Sequence, residues 1–331
     1  MPAAAKPQSA AAQVQMSYLE AMVQAQIEEM ERDERVIVMG EDIAIYGGGK
    51  LMERFDSTRV WTMPISEGSF TGVGIGAAIA GLRPIVDIGI SSFMYLASDQ
   101  IINQASKLHF MTGGQVKVPI VFRCTMYYGA AIAAQHSDRP YPVFLNIPGL
   151  KILSPSSPAD LKGLLKSAVR DDDPVMIFED TKLWPIKGMV PTDPDYLVPI
   201  GKADIKQAGT DVTLIAVAGA MKQALEAAKT LKEQGISAEV IDPRTLKPLD
   251  TETILQSVAR TGRLVLIENA HRIANLSSEI AAIVAEEAFD SLKKPIVRLT
   301  APDVHVAFSP VLENALFPGS DQIVAAVKKL L

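Results

Sequence analysis

Short apolar runs alternate with segments of helical spacing along most of this chain, and this alternation constrains the fold more than any other feature. Apolar runs of four to eight residues that are bounded by glycine, proline or charge are typical of buried strands. Strands that alternate with helices favour a parallel sheet. The sequence therefore predicts an α/β fold of two domains, each a mainly parallel sheet with helices on both faces. The predicted strands are residues 36–39, 84–90, 118–123, 174–179, 212–217, 238–241, 264–268 and 297–299.

The domain boundary is predicted from a change in composition. Four prolines and three glycines punctuate residues 184–210, which is typical of an extended connection. We therefore expect a first domain over residues 16–190, a linker over 191–210 and a second domain over 211–331. Residues 1–15 begin with a segment rich in Ala and Gln, without the features of a signal or transit peptide, and are predicted to be a flexible tail.

Charge and composition exclude several classes of partner. The formal net charge is −6 and no basic block occurs, so we expect neither nucleic acid nor a membrane surface as a partner. The apolar runs are interrupted before reaching the ~18 residues that span a bilayer. Cys124 is the one cysteine, so no internal disulfide can form, which fits a reducing cytoplasm.

One carboxylate, Glu67, has an unusual sequence environment. It precedes about ten residues of glycine, alanine and aliphatic side chains. An anion at the mouth of such a segment is expensive to bury unless it is protonated or paired. A carboxyl that holds a proton can donate a hydrogen bond or transfer that proton, which makes Glu67 a candidate functional residue. The alternative is structural: Ser66 would cap a helix and Glu67 would complement its dipole.

The glycine run that follows, residues 72–77 (GVGIGA), contains a Gly-x-Gly-x-x-Ala pattern. That pattern alone would suggest a dinucleotide-binding turn. However, five residues separate it from Ser66 at the end of the preceding strand-like run, and no acidic residue follows at a strand end about 20 positions later. We therefore favour a structural interpretation, in which small residues allow a helix to pack closely.

The remaining titratable candidates are weaker. His136 lies in a predicted loop and is an acid/base candidate. His109, His271 and His305 are interpreted as structural or surface residues, and Cys124 as a small buried apolar residue. Three consecutive aspartates at 171–173 could bind a cation, although a solvated loop is the commoner explanation for such a run.

Eight segments, taken in this order, resemble the β subunits of the thiamine-dependent 2-oxo acid dehydrogenases, which include the pyruvate, branched-chain and acetoin enzymes. The resemblance extends from residue 17 to residue 331. The segments are 36–42 (VIVMGED), 64–67 (PISE), 76–84 (GAAIAGLRP), 99–103 (DQIIN), 118–123 (VPIVFR), 134–137 (AQHS), 148–151 (PGLK) and 242–249 (DPRTLKPL).

The resemblance implies a thiamine pyrimidine-binding domain followed by a transketolase C-terminal-like domain. It also implies an α2β2 heterotetramer with thiamine diphosphate at the α–β interface. The α subunit would hold the diphosphate and the magnesium ion, which agrees with the absence here of a Gly-Asp-Gly segment followed by Asn-Asn. A lipoyl-bearing acyltransferase would accept the acyl group from a small-molecule substrate.

The resemblance also implies roles for individual residues. Glu67 matches the glutamate that hydrogen-bonds the aminopyrimidine ring, and His136 matches the active-site histidine that helps acyl transfer. Ile65, Phe93 and Leu96 match cofactor-binding positions, and Glu41 matches an acidic residue proposed to connect the two active sites of the tetramer. A potassium site present in some members would be formed by Ile120, Ala168, Val169, Asp171 and Asp173.

The substrate is less well defined by the sequence. Departures from the family pattern occur at 46–50, 124–129, 138–142 and 268–272, and they cluster near the expected substrate side. A pyruvate-like 2-oxo acid is the main expectation, and acetoin or another substrate cleaved at a C–C bond is the alternative. Two further hypotheses are a regulatory protein that binds a ligand through the glycine run and a structural partner without catalytic activity.

Overall fold

The structure, a computed structural model, describes residues 12–331 apart from the side chain of Tyr46. Most of the predicted tail, residues 1–11, lies outside the described residues. The end of that predicted tail is wrong, because Gln13–Ser17 forms a strand that pairs antiparallel with Lys187–Pro191. The backbone groups of this segment form hydrogen bonds with a strand at least 170 positions away in sequence. No local sequence pattern indicates such a pairing.

The alternation predicted from the sequence is present throughout the described chain. The strands are β1 (Gln13–Ser17), β2 (Val36–Gly40), β3 (Val60–Thr62), β4 (Arg83–Ile90), β5 (Val121–Met126), β6 (Lys151–Leu153), β7 (Val175–Asp180), β8 (Lys187–Pro191), β9 (Asp204–Gln207), β10 (Val212–Ala216), β11 (Ala238–Asp242), β12 (Thr245–Lys247), β13 (Leu264–His271) and β14 (Val297–Ala301). The α-helices are α1 (Tyr18–Arg32), α2 (Gly49–Arg54), α3 (Glu67–Ile79), α4 (Ser106–Met111), α5 (Tyr141–Leu145), α6 (Pro158–Arg170), α7 (Ala220–Glu233), α8 (Thr251–Thr261), α9 (Leu276–Glu287), α10 (Pro310–Leu316) and α11 (Ser320–Leu330).

The first domain contains a seven-stranded sheet with the order β12-β6-β7-β5-β4-β2-β3. Its pairs are parallel except for β12 with β6. Strands β2, β5 and β7 are buried along their whole length, as expected when helices cover both faces of a parallel sheet. The edge strand β12 belongs in sequence to the second predicted domain, so the two domains share this sheet.

The second domain contains a five-stranded sheet with the order β14-β13-β10-β11-β9. Only the pairing of β9 with β11 is antiparallel among its described pairs. Strand β9 (Asp204–Gln207) lies inside the segment that was predicted to be a linker. The linker prediction is therefore too long at its end, because a four-residue strand there completes the edge of the second sheet.

Three apolar clusters hold these layers together. One lies between the first sheet and helices α1 and α6, and another lies between the second sheet and helices α7 and α11. The largest cluster is continuous between the domains and includes Phe122 and Phe178 of the first sheet and Ile215 and Leu266 of the second. The two domains therefore share a continuous apolar core. None of the helices within residues 12–331 is both long and apolar enough to cross a bilayer.

Helix α3 shows why the glycine run is structural. The helix begins at Glu67, so residues 72–77 lie in its interior rather than at a turn after a strand. A Cβ added at Gly74 would lie 2.6 Å from Val86 Cγ2 and 3.3 Å from Ile120 Cδ1. The absence of a side chain at Gly74 allows α3 to approach β4 closely, and this confirms the structural interpretation of the run.

Candidate active site

Five of the predicted site residues follow the carboxyl ends of neighbouring parallel strands. Glu41 follows β2, Ile65 and Glu67 follow β3, and Phe93 and Leu96 follow β4. His136 follows β5 at the end of a longer loop. Carboxyl ends of parallel strands meet at one edge of the sheet, and this edge is where open α/β folds bind ligands. The first domain therefore concentrates the predicted catalytic and cofactor-binding side chains at its carboxyl edge.

Glu67 is the first residue of α3 and is 4% exposed. Ser66 precedes the helix, but its side chain makes no capping hydrogen bond, so that part of the structural alternative is not supported. Glu67 lines an open cleft of about 700 Å³ together with Gly68, Gly72, Leu96 and the neighbouring turn of α3. Glu67 therefore borders a surface concavity although it is almost completely buried.

Glu41 is an acidic neighbour of Glu67 that affects the electrostatics of this edge. It is 3% exposed, and within residues 12–331 its Oε2 has no hydrogen-bond partner. Burial, together with the negative charges of Glu67, Asp42 and Asp87, raises the pKa of Glu41 to about 7. Two buried carboxyl groups that repel each other cannot both ionise cheaply, so this pair is suited to retaining a proton near neutral pH.

Phe93 and His136 are brought together from two different loops. The two rings form an edge-to-face contact with centroids 5.7 Å apart. Phe93 lies in the 3-10 turn Ser91–Tyr95, and His136 ends the 3-10 turn Ala134–His136. Ser91 Oγ donates a hydrogen bond of 2.8 Å to the carbonyl oxygen of Asp138, which ties the two turns to each other.

The surroundings of these residues fit a polar aromatic ligand. Ile65 and Leu96 are 77% and 69% exposed, which is unusual for large apolar side chains that flank a buried glutamate. Besides Glu41 Oε2, the buried hydroxyl oxygens Thr71 Oγ1 and Thr125 Oγ1 of the same domain have no hydrogen-bond partner among the described residues. Buried polar atoms normally find a partner, so an orphaned atom such as Glu41 Oε2 at the carboxyl edge of the sheet indicates a bound group or ordered water.

A second charged cluster in the same sheet was not predicted. Arg123 is 1% exposed and pairs with Asp87 through Nη1 and with Glu179 through Nε at 2.7 Å. The three residues lie on adjacent strands β4, β5 and β7. Charged residues inside otherwise apolar strand runs were a visible signal for this cluster, since a buried ion must be paired.

The residues of the predicted potassium site come together at the opposite, amino edge of the sheet. There Arg83 Nη1 donates to the carbonyl oxygens of Val169 at 2.9 Å and Asp171 at 2.8 Å. The carbonyl oxygens of Ile120 and Ala168 accept backbone N–H groups, and the carboxylates of Asp171 and Asp173 pair with Lys151. The potassium site stays a prediction, and in this structure a guanidinium group supplies the positive charge at this place.

The other candidates have ordinary environments. Cys124 is fully buried in the core, as predicted. His109 and His271 are exposed, and each has its Nδ1 at 2.8 Å from a backbone carbonyl oxygen. His305 is exposed. No group of three or more His, Cys, Asp or Glu side chains within residues 12–331 is arranged to hold a metal ion.

Comparison with known families defines the class of protein first. A family profile described as "Transketolase, pyrimidine binding domain" matches residues 14–187, and one described as "Transketolase, C-terminal domain" matches residues 201–323. A solved structure titled "Split gene transketolase, inactive beta4 tetramer" superposes with a TM-score of 0.78 and 25% identity, covering 96% of this chain and 98% of that chain. The fold and the site therefore define a transketolase-like protein of the thiamine-diphosphate-dependent class.

Relatives of known activity place the chain more narrowly. It is 45% identical to the acetoin:2,6-dichlorophenolindophenol oxidoreductase β subunit of Bacillus subtilis, over 91% of this chain and 93% of that protein. It is 42% identical to the 2-oxoisovalerate dehydrogenase β subunit of the same organism (95% and 98%) and 44% identical to the mitochondrial pyruvate dehydrogenase E1 β subunit of Caenorhabditis elegans (96% and 92%). The chain belongs to the β subunits of the thiamine-dependent 2-oxo acid and acetoin dehydrogenases, a family of oxidoreductases.

Proposed function

We propose that this chain is the β subunit of an enzyme that oxidatively decarboxylates a pyruvate-like 2-oxo acid and transfers the acyl group to a lipoyl-bearing acyltransferase. An α subunit would complete the enzyme as an α2β2 heterotetramer. The observation that carries the proposal is the buried Glu67 beside the buried Glu41, at a carboxyl edge that also presents Phe93 and His136. The single cysteine, which is buried, fits a reducing cytoplasm.

The cofactor would be divided between the two subunits. Glu67, Ile65, Phe93, Leu96 and Glu41 would surround its aminopyrimidine ring, whereas the α subunit would hold the diphosphate and magnesium. The exposed side chains of Ile65 and Leu96 and the orphaned Glu41 Oε2 support this division, since the cofactor and the second subunit would cover them. When bound, thiamine diphosphate supplies a nucleophilic carbon that adds to a substrate carbonyl and accepts its electrons.

The residues of this chain would control protons at two places. Glu67 would hold a proton against a ring nitrogen of the aminopyrimidine, in a site whose low polarity strengthens that hydrogen bond. Glu41, with a pKa raised to about 7, would exchange protons with Glu67 without requiring a large change in pH. His136, held by its ring contact with Phe93 at the carboxyl edge of the sheet, would place an imidazole where the acyl group leaves.

Reconstitution tests the proposal. The chain is co-expressed with an α-type partner, and thiamine diphosphate binding is measured by calorimetry for the chain alone and for the complex. We expect binding only in the complex, and turnover of pyruvate or a branched-chain 2-oxo acid with lipoamide as acceptor. Tight binding of NAD by the chain alone would contradict the proposal and favour the ligand-binding alternative.

An acetoin-type activity is the second candidate, and Asp138 is the observation that favours it. This carboxylate is half-buried, two residues after His136, on a segment tied to the turn that carries Phe93. A negative charge there would repel the carboxylate of a 2-oxo acid and would leave neutral acetoin unaffected. Assay of the reconstituted complex with both substrates separates the two candidates.

A further inference from the structure

The loop that carries His136 is held in an unusual backbone conformation. Between the end of β5 and the turn Ala134–His136, Ala131 and Ala133 adopt φ angles of 54° and 65°. Residues with a Cβ atom rarely occupy this left-handed region, and they stay there only when surrounding contacts fix them. The loop therefore requires an external anchor.

The anchor comes from the second domain. Glu313 of α10 is fully buried, and its Oε1 accepts a 2.6 Å hydrogen bond from the backbone N–H of Gly129. Its Oε2 accepts a 3.0 Å hydrogen bond from the backbone N–H of Ala131. Bonds from N–H groups to a carboxylate are stronger than those between neutral groups, and a carboxylate has one oxygen for each of these two donors.

The same segment of the second domain makes a second contact with this region. The guanidinium of Arg139 lies 4.8 Å from the ring centroid of Tyr128 and 5.0 Å from that of Phe317. The two rings pack with centroids 4.9 Å apart. Glu313 and Phe317 therefore hold the start of the His136 loop, at residues 128–131. After the loop, Arg139 contacts the same Phe317 ring.

We propose that Glu313 is a positioning residue: by holding the two backbone N–H groups it fixes the conformation of the loop and thereby the place of the His136 ring against Phe93. The part of this inference that concerns acyl transfer rests on the function proposed for His136. The part that concerns the loop stands on the hydrogen bonds alone. Glu313 is 184 and 182 positions away in sequence from Gly129 and Ala131. On this proposal, the second domain determines the geometry of the first domain's site.

The first experiment measures residue-resolved amide hydrogen exchange in the full chain assembled with its α partner. In the wild type, we expect exchange at Gly129 and Ala131 to be at least 100-fold slower than at exposed Ala130. In Glu313→Gln, one donor would face an amide NH2 instead of an oxygen, so exchange at both residues should accelerate at least tenfold while strands β5 and β7 remain protected. The matched control is Asp250→Asn, since Asp250 also accepts two backbone N–H bonds, from Ala203 and Thr253, outside this loop.

Each result of that experiment decides the point. Fast exchange at Ala131 in the wild type, or unchanged exchange in Glu313→Gln, overturns the anchor. The wild-type measurement keeps the test valid if Glu313→Gln fails to assemble. If Asp250→Asn accelerates amide exchange at Gly129 and Ala131 as much as Glu313→Gln does, the anchor is overturned as well. The faster exchange would then reflect a general loosening of the fold.

The second experiment is a double-mutant cycle on acyl transfer to lipoamide, using Glu313→Gln, His136→Ala and the double variant. If Glu313 acts through His136, the double variant should be no slower than His136→Ala, and reduction of an artificial electron acceptor should be affected less than transfer to lipoamide. Multiplied losses in the double variant overturn action through His136. Full activity of His136→Ala with accelerated exchange in Glu313→Gln contradicts the proposed function and leaves the anchor standing.

Discussion

Two clusters of buried carboxylates lie in the first domain, one within its sheet and one at the carboxyl edge of that sheet, and they differ in whether a cation neutralises them. Asp87 and Glu179 share the guanidinium of Arg123, which is itself buried. Glu41 and Glu67 are equally buried, but Glu41 Oε2 has no partner and its pKa is raised to about 7. A buried pair neutralised by a cation stabilises the arrangement of strands, whereas a pair left without one keeps a proton available. Burial of acids alone does not distinguish the structural cluster from the functional one; the presence of the cation does.

The largest effect is expected from Glu67→Gln. The amide cannot hold a transferable proton, so hydrogen–deuterium exchange at thiamine C2 in the reconstituted complex should fall by about 10²–10⁴-fold. Assembly should be retained, because the substitution preserves shape and removes a charge that repels Glu41. Glu179→Gln is the control from the paired cluster: it should destabilise the chain and leave C2 exchange within a small factor of the wild type. Normal exchange in Glu67→Gln would refute the role of this carboxyl.

Arg123→Met tests the paired cluster. Removal of the guanidinium would leave Asp87 and Glu179 buried without a counter-charge, which should lower the free energy of unfolding by about 3–5 kcal/mol. Urea unfolding of the full chain measures this. Arg35→Met serves as the control, since Arg35 is largely exposed and pairs with Asp33 at the surface. The urea midpoint of this variant should hardly differ from that of the wild type. Equal midpoints for the two variants would show that the buried cluster is not stabilising.

The sequence alone predicts many of the individual strands and helices and the two main site residues. The strands and helices follow from local periodicity, and Glu67 and His136 follow the ends of predicted strands. The cation between Asp87 and Glu179 could not be placed, because strand order determines which charges meet. The same limit explains β12, which joins the first sheet from the second half of the chain, and Glu313, whose partners lie more than 180 positions away.

A smaller effect should appear in the pH dependence of stability. The folded-state pKa of Glu41 is about 7, above its ordinary value of 4.5, so the folded chain binds a proton that the unfolded chain releases. The stabilising contribution is therefore complete below about pH 4.5 and is lost as pH rises through 7, by about 1–3 kcal/mol. We expect Glu41→Gln to remove this decline between pH 5 and 8, and Glu67→Gln to reduce it by removing one source of repulsion. If the free energy of unfolding changes with pH in the same way for the wild type, Glu41→Gln and Glu67→Gln, the electrostatic coupling between Glu41 and Glu67 is contradicted.

Asp138 is an intermediate case, since it is half-buried and has His271 and His305 among its electrostatic neighbours. Burial raises the pKa of its carboxyl, and His271 and His305 oppose that shift. If its charge selects against anionic substrates, Asp138→Asn should raise kcat/KM for pyruvate relative to acetoin by about fivefold, which corresponds to about 1 kcal/mol at the effective dielectric of an open cleft. Asp290→Asn, at an exposed position, controls for net charge and should leave the ratio unchanged. An unchanged ratio in Asp138→Asn would mean that this carboxylate serves the structure of its loop, as Asp87 serves the structure of the sheet. It would also mean that a carboxylate near the cleft influences the substrate only when it faces the cleft.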